Sequence, residues 1–324
     1  MKKTFTTVAQ LVIAGMLMVA TTWAGAQEAY PNKSIRFITP FAPGGSTTAV
    51  ARLIGQKLIE SWGQQVFVDN RPGGNGFIGG EALKNARPDG YTLMLMSPTH
   101  VISPLLVHAP YDPIDDFAQV ASVCGTEIIL VLHPSVPANT LQELIALARS
   151  KPRELNYASS GSGSPTNIVA EMFKLMTGVK LQHIPYKGGG PALIDLVGGQ
   201  VDLAFQIPIS ALPYVKGGRL KAIAISGETR MPELPQVRTF TEGGVPHFEV
   251  ASWYGILAPV GTPKPIIDKI SVEVAKYLRT AEFKEKLGHL GMTPMIGDAK
   301  KFEALMRSDR DKYGKVIKAA DIKG

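Results

Sequence analysis

The sequence predicts an α/β fold in two lobes, and three observations predict it. Short apolar runs alternate with helix-period segments, and that alternation restarts near the middle of the chain. In addition, 324 residues with 45% hydrophobic content suffice for two cores. In the first half, residues 34–41 (SIRFITPF), 65–71 (QVFVDNR) and 91–97 (YTLMLMS) read as strands, rich in apolar and β-branched residues. Between the first two lies a helix over about Thr48 to Trp62, in which Val50, Leu53, Ile54 and Leu58 recur at three- and four-residue spacing. Gly63 supplies its stop. Residues 72–80 (PGGNGFIGG) read as a structural loop leading to a short helix, GEALKNA.

The second half repeats the theme. Residues 118–134 are strand-like, and 140–152 form a helix ended by Pro152. Next come a strand at 155–160 (LNYASS), a helix at 166–179, a strand at 180–186 (KLQHIPY) and a short helix near 192–200. Residues 201–206, 220–226 and 252–259 read as further strands, and the last quarter reads as helical, with Ile266, Ile267, Ile270, Val274 and Leu278 at core spacing. These last helices follow the strand holding Trp253 and Tyr254 without a linker, so the C-terminal segment is expected to return to the first lobe. The expected division is a first domain of 27–125 with 255–324 and a second of 126–254. The chain would cross between lobes near 122–129 and 251–257, as a hinge of two paired strands beside a central cleft.

The N-terminus carries its own message. Lys2 and Lys3 precede an apolar run from Val8 to Ala20, and Ala24-Gly25-Ala26 offers a small-residue cleavage site, so residues 1–26 read as a secretory signal peptide. The mature chain is expected in the periplasm, as a monomer. With 34 basic and 27 acidic residues the excess charge is mild, and the basic residues are scattered, which argues against nucleic acid as a partner. Cys124 is the one cysteine; no internal disulfide is possible, and its apolar surroundings mark it as a buried hydrophobe.

Two segments share a design suited to chemistry. A strand runs into Ala42-Pro43-Gly44-Gly45-Ser46-Thr47 before the first helix, and another runs into Gly161-Ser162-Gly163-Ser164-Pro165 before the helix from about Thr166. Each sets glycines and hydroxyls at a helix N-terminus, where backbone N–H groups lack intrahelical partners and the dipole end is positive. Such a loop can cradle an anion or merely cap its helix. Two of them, one per lobe at carboxyl ends of strands, point to a shared ligand. Other chemistries find little support. The glycine spacing of 74–79 lacks a tight first turn and a following acidic strand tip, so no nucleotide cofactor is expected. The six histidines are dispersed, so no metal is expected, and Asp115 and Asp116 are adjacent and cannot both face one cavity. No nucleophile elbow surrounds Ser162 or Ser164, so the chain is not expected to be an enzyme, although a secreted hydrolase using a loop serine is the rival reading. Lys187 in YKGGGP reads as a solvated turn lysine or an anion attractor, and Trp253 and Tyr254 as cleft lining or hinge core.

On specific residues, the chain from about Tyr30 to Ile317 resembles the Bug family, the extracytoplasmic solute receptors of tripartite tricarboxylate transporters. The resemblance rests on YPNKSIRFITPFAPGG, Ala51-Arg52, VDNRPGGNGFIGGEAL, PDGYTL, YASSGSGSPTN, IPYKGGGPALIDLVGGQVDLAF and SWYGILAPVGTP, in that order. It implies a type II periplasmic-binding-protein fold closing on a small carboxylate, and membrane transporter subunits, or a membrane sensor, as partners. By the same resemblance Phe41, Ala42, Gly44, Gly45, Ser46 and Thr47 form one ligand-binding loop, Ser160, Gly161, Ser162, Ser164 and Thr166 the other, and Thr99 and His100 a cleft-edge turn. Three positions depart from the family pattern: Thr48 replaces an aspartate, Asn167 a histidine and Gln206 an acid. The loss of two acids implies a di- or tricarboxylate or an aromatic carboxylate as ligand, over an amino acid.

Overall fold

A computed structural model describes residues 30–322, apart from 42, 44, 45, 152, 153, 163, 187, 188 and 249. The expected signal peptide lies outside these residues, as do Ala42, Gly44, Gly45 and Lys187. The chain forms two mixed sheets, each covered by helices on both faces, and the two sheets define two lobes.

The first sheet begins with β1 (Ile35–Thr39), β2 (Val66–Asn70) and β3 (Thr92–Met96), with β1 parallel to both neighbours. Helix α1 (Ser46–Trp62) follows β1, and its stripe of Val50, Ile54 and Leu58 is buried, as the three- and four-residue spacing requires. The segment read as a loop at 72–80 is helical from Phe77: α2 spans Phe77–Lys84. Its glycines serve packing. A Cβ on Gly79 would stand 2.6 Å from Pro40 Cβ, and one on Gly80 2.0 Å from the Tyr111 hydroxyl. Helix α3 (Thr99–Leu106) stands where a turn was expected, with Pro104 inside it.

The chain leaves this sheet along β4 (Phe117–Glu127) and enters the second along β5 (Ile129–Leu132). There α4 (Leu141–Ser150), β6 (Asn156–Ser159), α5 (Pro165–Thr177), β7 (Gln182–Pro185), α6 (Gly189–Val197), β8 (Leu203–Gln206), α7 (Pro208–Lys216) and β9 (Lys221–Ile225) follow. The strand order is β7-β6-β8-β5-β9. Period-two alternation divides its strands between faces. Leu130, Leu132, Leu203 and Phe205 pack toward α4 and α5, whereas Ile129, Val131 and Ala204 pack toward α6 and α7. Helix α7 was unread because Pro208 and Pro213 mask its pattern; Pro208 occupies the first turn, where no N–H is needed.

The return strand β10 (Ala251–Pro259) lies antiparallel between β3 and β4. After it come α8 (Lys264–Leu278), α9 (Ala281–Gly288), β11 (Thr293–Asp298) and α10 (Ala299–Ala319), so the last quarter is not wholly helical: β11 adds an edge strand beside β4. The first sheet thus runs β11-β4-β10-β3-β1-β2. Helix α10 packs on β4 and α3 of the first lobe and also against α5 of the second. Cys124 is fully buried, its Sγ 3.8 Å from Met292 Sδ, and burial pushes its thiol pKa well up. Among the described residues no helix is long and apolar enough to cross a membrane.

Candidate functional site

The loop after β1 is held by a residue from the next strand. Asn70 Nδ2, at the end of β2, lies 2.6 Å from Thr39 Oγ1, 2.9 Å from the Phe41 carbonyl and 2.8 Å from Thr48 Oγ1. One amide therefore ties the strand end, the loop and the first turn of α1 together. Thr48 is consequently buried behind the loop, its hydroxyl accepting from Asn70, while Thr47 beside it faces the space between the lobes.

The loop after β6 is built from hydroxyls. Thr166 Oγ1 accepts from the Ser160 N–H at 3.0 Å and lies 3.0 Å from Ser160 Oγ and 3.2 Å from Ser164 Oγ. Ser164 caps α5, accepting from the Asn167 N–H. Gly161 has φ +134°, which L side chains rarely adopt, and Ser159 Oγ donates to its carbonyl. His183 Nε2, on β7, lies 2.7 Å from Ser159 Oγ, and its ring stacks on Tyr157 at 4.8 Å. Burial holds its pKa below the ordinary histidine value. Asn167 points inward. Its Nδ2 donates to the Tyr157 hydroxyl at 2.7 Å, which donates to Glu171 Oε1 at 2.5 Å.

Between the two loops lies a cavity of about 280 Å³. Of the expected residues, Phe41, Thr47, Thr99, Ser160 and Thr166 line it. Thr48, Gly161, Ser162, Ser164, Asn167 and Gln206 do not: Ser162 is exposed, and Thr48, Asn167 and Gln206 are buried. Ser46 opens α1. The sequence reading missed Ser97, Ile128, Pro165, Ile207 and Ser252, while Tyr254 takes the first of its two readings, cleft lining or hinge core. Ser97 and Ile207 directly follow β3 and β8, so the rule that ligands gather at carboxyl ends of strands would have found both. Ser252 and Tyr254 share a face of β10 by the strand period, and Trp253 takes the other face. No described residue lining this cavity carries a charged side chain. Nor does any described cluster of three or more His, Cys, Asp or Glu offer a metal site.

His100, expected at the cleft edge, lies behind it. Its Nε2 is 2.8 Å from the Pro113 carbonyl, its ring contacts Tyr111 and Phe117, and its Nδ1 is buried without a hydrogen-bond partner. Burial lowers its pKa to about 4.

Comparison with known proteins gives a consistent picture. The sequence profile described as the tripartite tricarboxylate transporter family receptor matches residues 50–322. Protein BugT of Bordetella pertussis is 33% identical over 299 residues, covering 91% of this chain and 92% of its own. Among solved structures, R. palustris Rpa4515 with adipate is similar at TM-score 0.80 and 34% identity, covering 91% of this chain and 99% of that one. MatC from Rhodopseudomonas palustris with bound malate is similar at TM-score 0.74 and 30% identity, covering 89% and 100%.

Proposed function

Because the chain belongs to the tripartite tricarboxylate transporter receptor family, matched over residues 50–322, we propose that it is a periplasmic protein that captures a small carboxylate between its lobes for a tripartite transporter. One observation carries the reading. Two hydroxyl-bearing helix starts, one from each lobe, meet at a single cavity, with Thr47 and Thr99 facing Ser160 and Thr166. Helix N-termini and neutral hydroxyls stabilise a carboxylate without burying a counter-charge. The relatives solved with adipate and malate support the same ligand class.

In this reading Phe41, Thr47, Thr99, Ser160 and Thr166 contact the ligand. Thr48, Asn167 and Gln206 act from behind, shaping the loops and the floor of the cleft. A zwitterionic amino acid fits poorly, since no described lining side chain is acidic and the helix ends repel an ammonium. A dicarboxylate or an aromatic carboxylate is the proposed ligand.

The lobe division drawn from sequence, 27–125 with 255–324 against 126–254, is retained with its crossings moved to the ends of the paired strands. The extents of β4 to Glu127 and of β10 from Ala251 support that placement. Ligand that touches both lobes only when they close shifts the population toward the closed form, which the membrane subunits then recognise. Binding without turnover is supported by Ser159, the serine that ends β6 beside His183. It is 1% exposed, with its Oγ enclosed between the Gly161 carbonyl and His183 Nε2, so a substrate cannot reach it.

Native mass spectrometry of the freshly purified protein, followed by calorimetry with dicarboxylates, aromatic acids and amino acids, tests the proposal. Stoichiometric binding of a carboxylate without product is expected; selective binding of an amino acid, or turnover lost on replacing a loop serine, contradicts it.

A further inference from the structure

The two crossing segments are joined by one hydroxyl. Ser226 directly follows β9 in the second lobe and is 3% exposed. Its Oγ accepts the N–H of Ile128 at 2.8 Å, and the same hydroxyl donates to the carbonyl of Val250. Its own N–H donates to the Ile128 carbonyl at 2.9 Å. Ile128 is the residue after β4 and Val250 the residue before β10. The last antiparallel pair of those strands is Glu127 with Ala251. Where the ladder would continue from Ile128 to Val250, the serine hydroxyl stands between the two backbones, in the relay Ile128 N–H to Ser226 O–H to Val250 C=O.

From this arrangement we infer that Ser226 is the positioning residue of the hinge: its hydroxyl fixes how far the two crossing strands splay, and so how the two halves of the carboxylate site face each other. The inference rests on the reading that the lobes close on ligand. A hydroxyl suits this place because it donates and accepts at once, between the backbones of two buried residues, Ile128 and Val250. The consequences reach the ligand directly, since the Ile128 side chain lines the cleft cavity. On the opposite side the hinge opens onto a second cavity of about 320 Å³, lined by Ser226, Gly227 and Glu228 of one lobe and by Trp253, Asp309 and Lys312 of the other. That space is roomy and polar enough for water. Removing the hydroxyl therefore lets exchangeable water take its place: the protein folds, but the strands lose their fixed separation.

The test uses the mature full-length protein with spin labels at Gln56→Cys in the first lobe and Gln200→Cys in the second, both exposed, while Cys124 is fully buried. Pulsed dipolar distances are measured without ligand in Ser226, Ser226→Ala and Ser226→Thr backgrounds. A distance distribution broadened in Ser226→Ala and restored in Ser226→Thr is expected. With adipate as probe, Ser226→Ala is expected to bind roughly fivefold more weakly, the fraction of chains with an aligned cleft falling by that factor. An unchanged distribution in a folded Ser226→Ala protein overturns the inference. If that variant does not fold, Ser226→Val, which has the shape of Ser226→Thr without its hydroxyl, carries the same comparison. The ligand-free distances judge the hinge alone; failure of adipate to bind the Ser226 protein counts against the choice of ligand and leaves the hinge result standing.

Discussion

Thr166 concentrates the site's chemistry in one atom, because its Oγ1 gathers the Ser160 N–H and two serine hydroxyls at the start of α5. Thr166→Val keeps the shape and removes that junction; carboxylate affinity measured by calorimetry should fall about tenfold, the worth of one hydrogen bond to a charged group. An unchanged affinity would place the ligand elsewhere. His100 makes a prediction of a different kind. Its pKa is held near 4 in the folded protein against 6.5 in a solvated chain, so between those values the unfolded state binds the extra proton. Stability is then complete above pH 6.5 and falls as pH drops toward 4, by about 3 kcal/mol at one histidine. Urea unfolding at pH 7 and pH 4 should show that loss, and His100→Leu should flatten it. The two hydroxyl loops were legible because each is a continuous stretch of sequence. Ser252, Ile128 and Ile207 were not, since they reach the cavity from three separate strands' ends or faces, and only the topology brings them together.

Elements with a clean period were readable, and those defined by partners were not. The stripe of α1 and the apolar runs of β3 and β8 announce themselves locally. By contrast β11 has a mostly half-exposed face and exists as a strand because β4 offers an open edge. Helix α10 was read as helical, but its contact with α5 of the second lobe could not be, because the polar face of a helix does not reveal how far its apolar face reaches. This helix also backs the hinge. Trp253 Nε1 donates to Asp309 Oδ2 on α10 at 2.8 Å, and the Trp253 ring meets Phe302 edge to face at 5.1 Å. Asp309 is buried and holds Lys312 as well. Trp253→Phe keeps most of the ring packing but leaves the carboxylate one donor short, at a cost of about 1–3 kcal/mol. The urea midpoint should move down accordingly, and a midpoint equal to that of the parent would mean the tie contributes nothing.

At the scale of the whole molecule, the two lobes are not independent bodies joined by a thread. One hydrophobic cluster runs from Ile38 and Met94 of the first sheet through Trp253 and Phe302 to Leu130, Tyr157 and Phe205 of the second. A ligand lying between them adds its binding energy to a fold that already spans the cleft, so the protein should unfold as one unit and at a higher temperature when occupied. At a hundred times Kd the linkage term is about 2.7 kcal/mol, which for a chain of this size raises Tm by roughly 5 °C. Differential scanning fluorimetry should find that rise with a dicarboxylate or an aromatic carboxylate. Amino acids of similar size should leave Tm unmoved, because the cavity offers hydroxyls and helix N-termini but no described acidic side chain for the ammonium. A Tm raised equally by both classes would mean that the neutrality of this cleft does not select its ligand, and that some group outside the five contacts proposed at Phe41, Thr47, Thr99, Ser160 and Thr166 reads the ligand's charge.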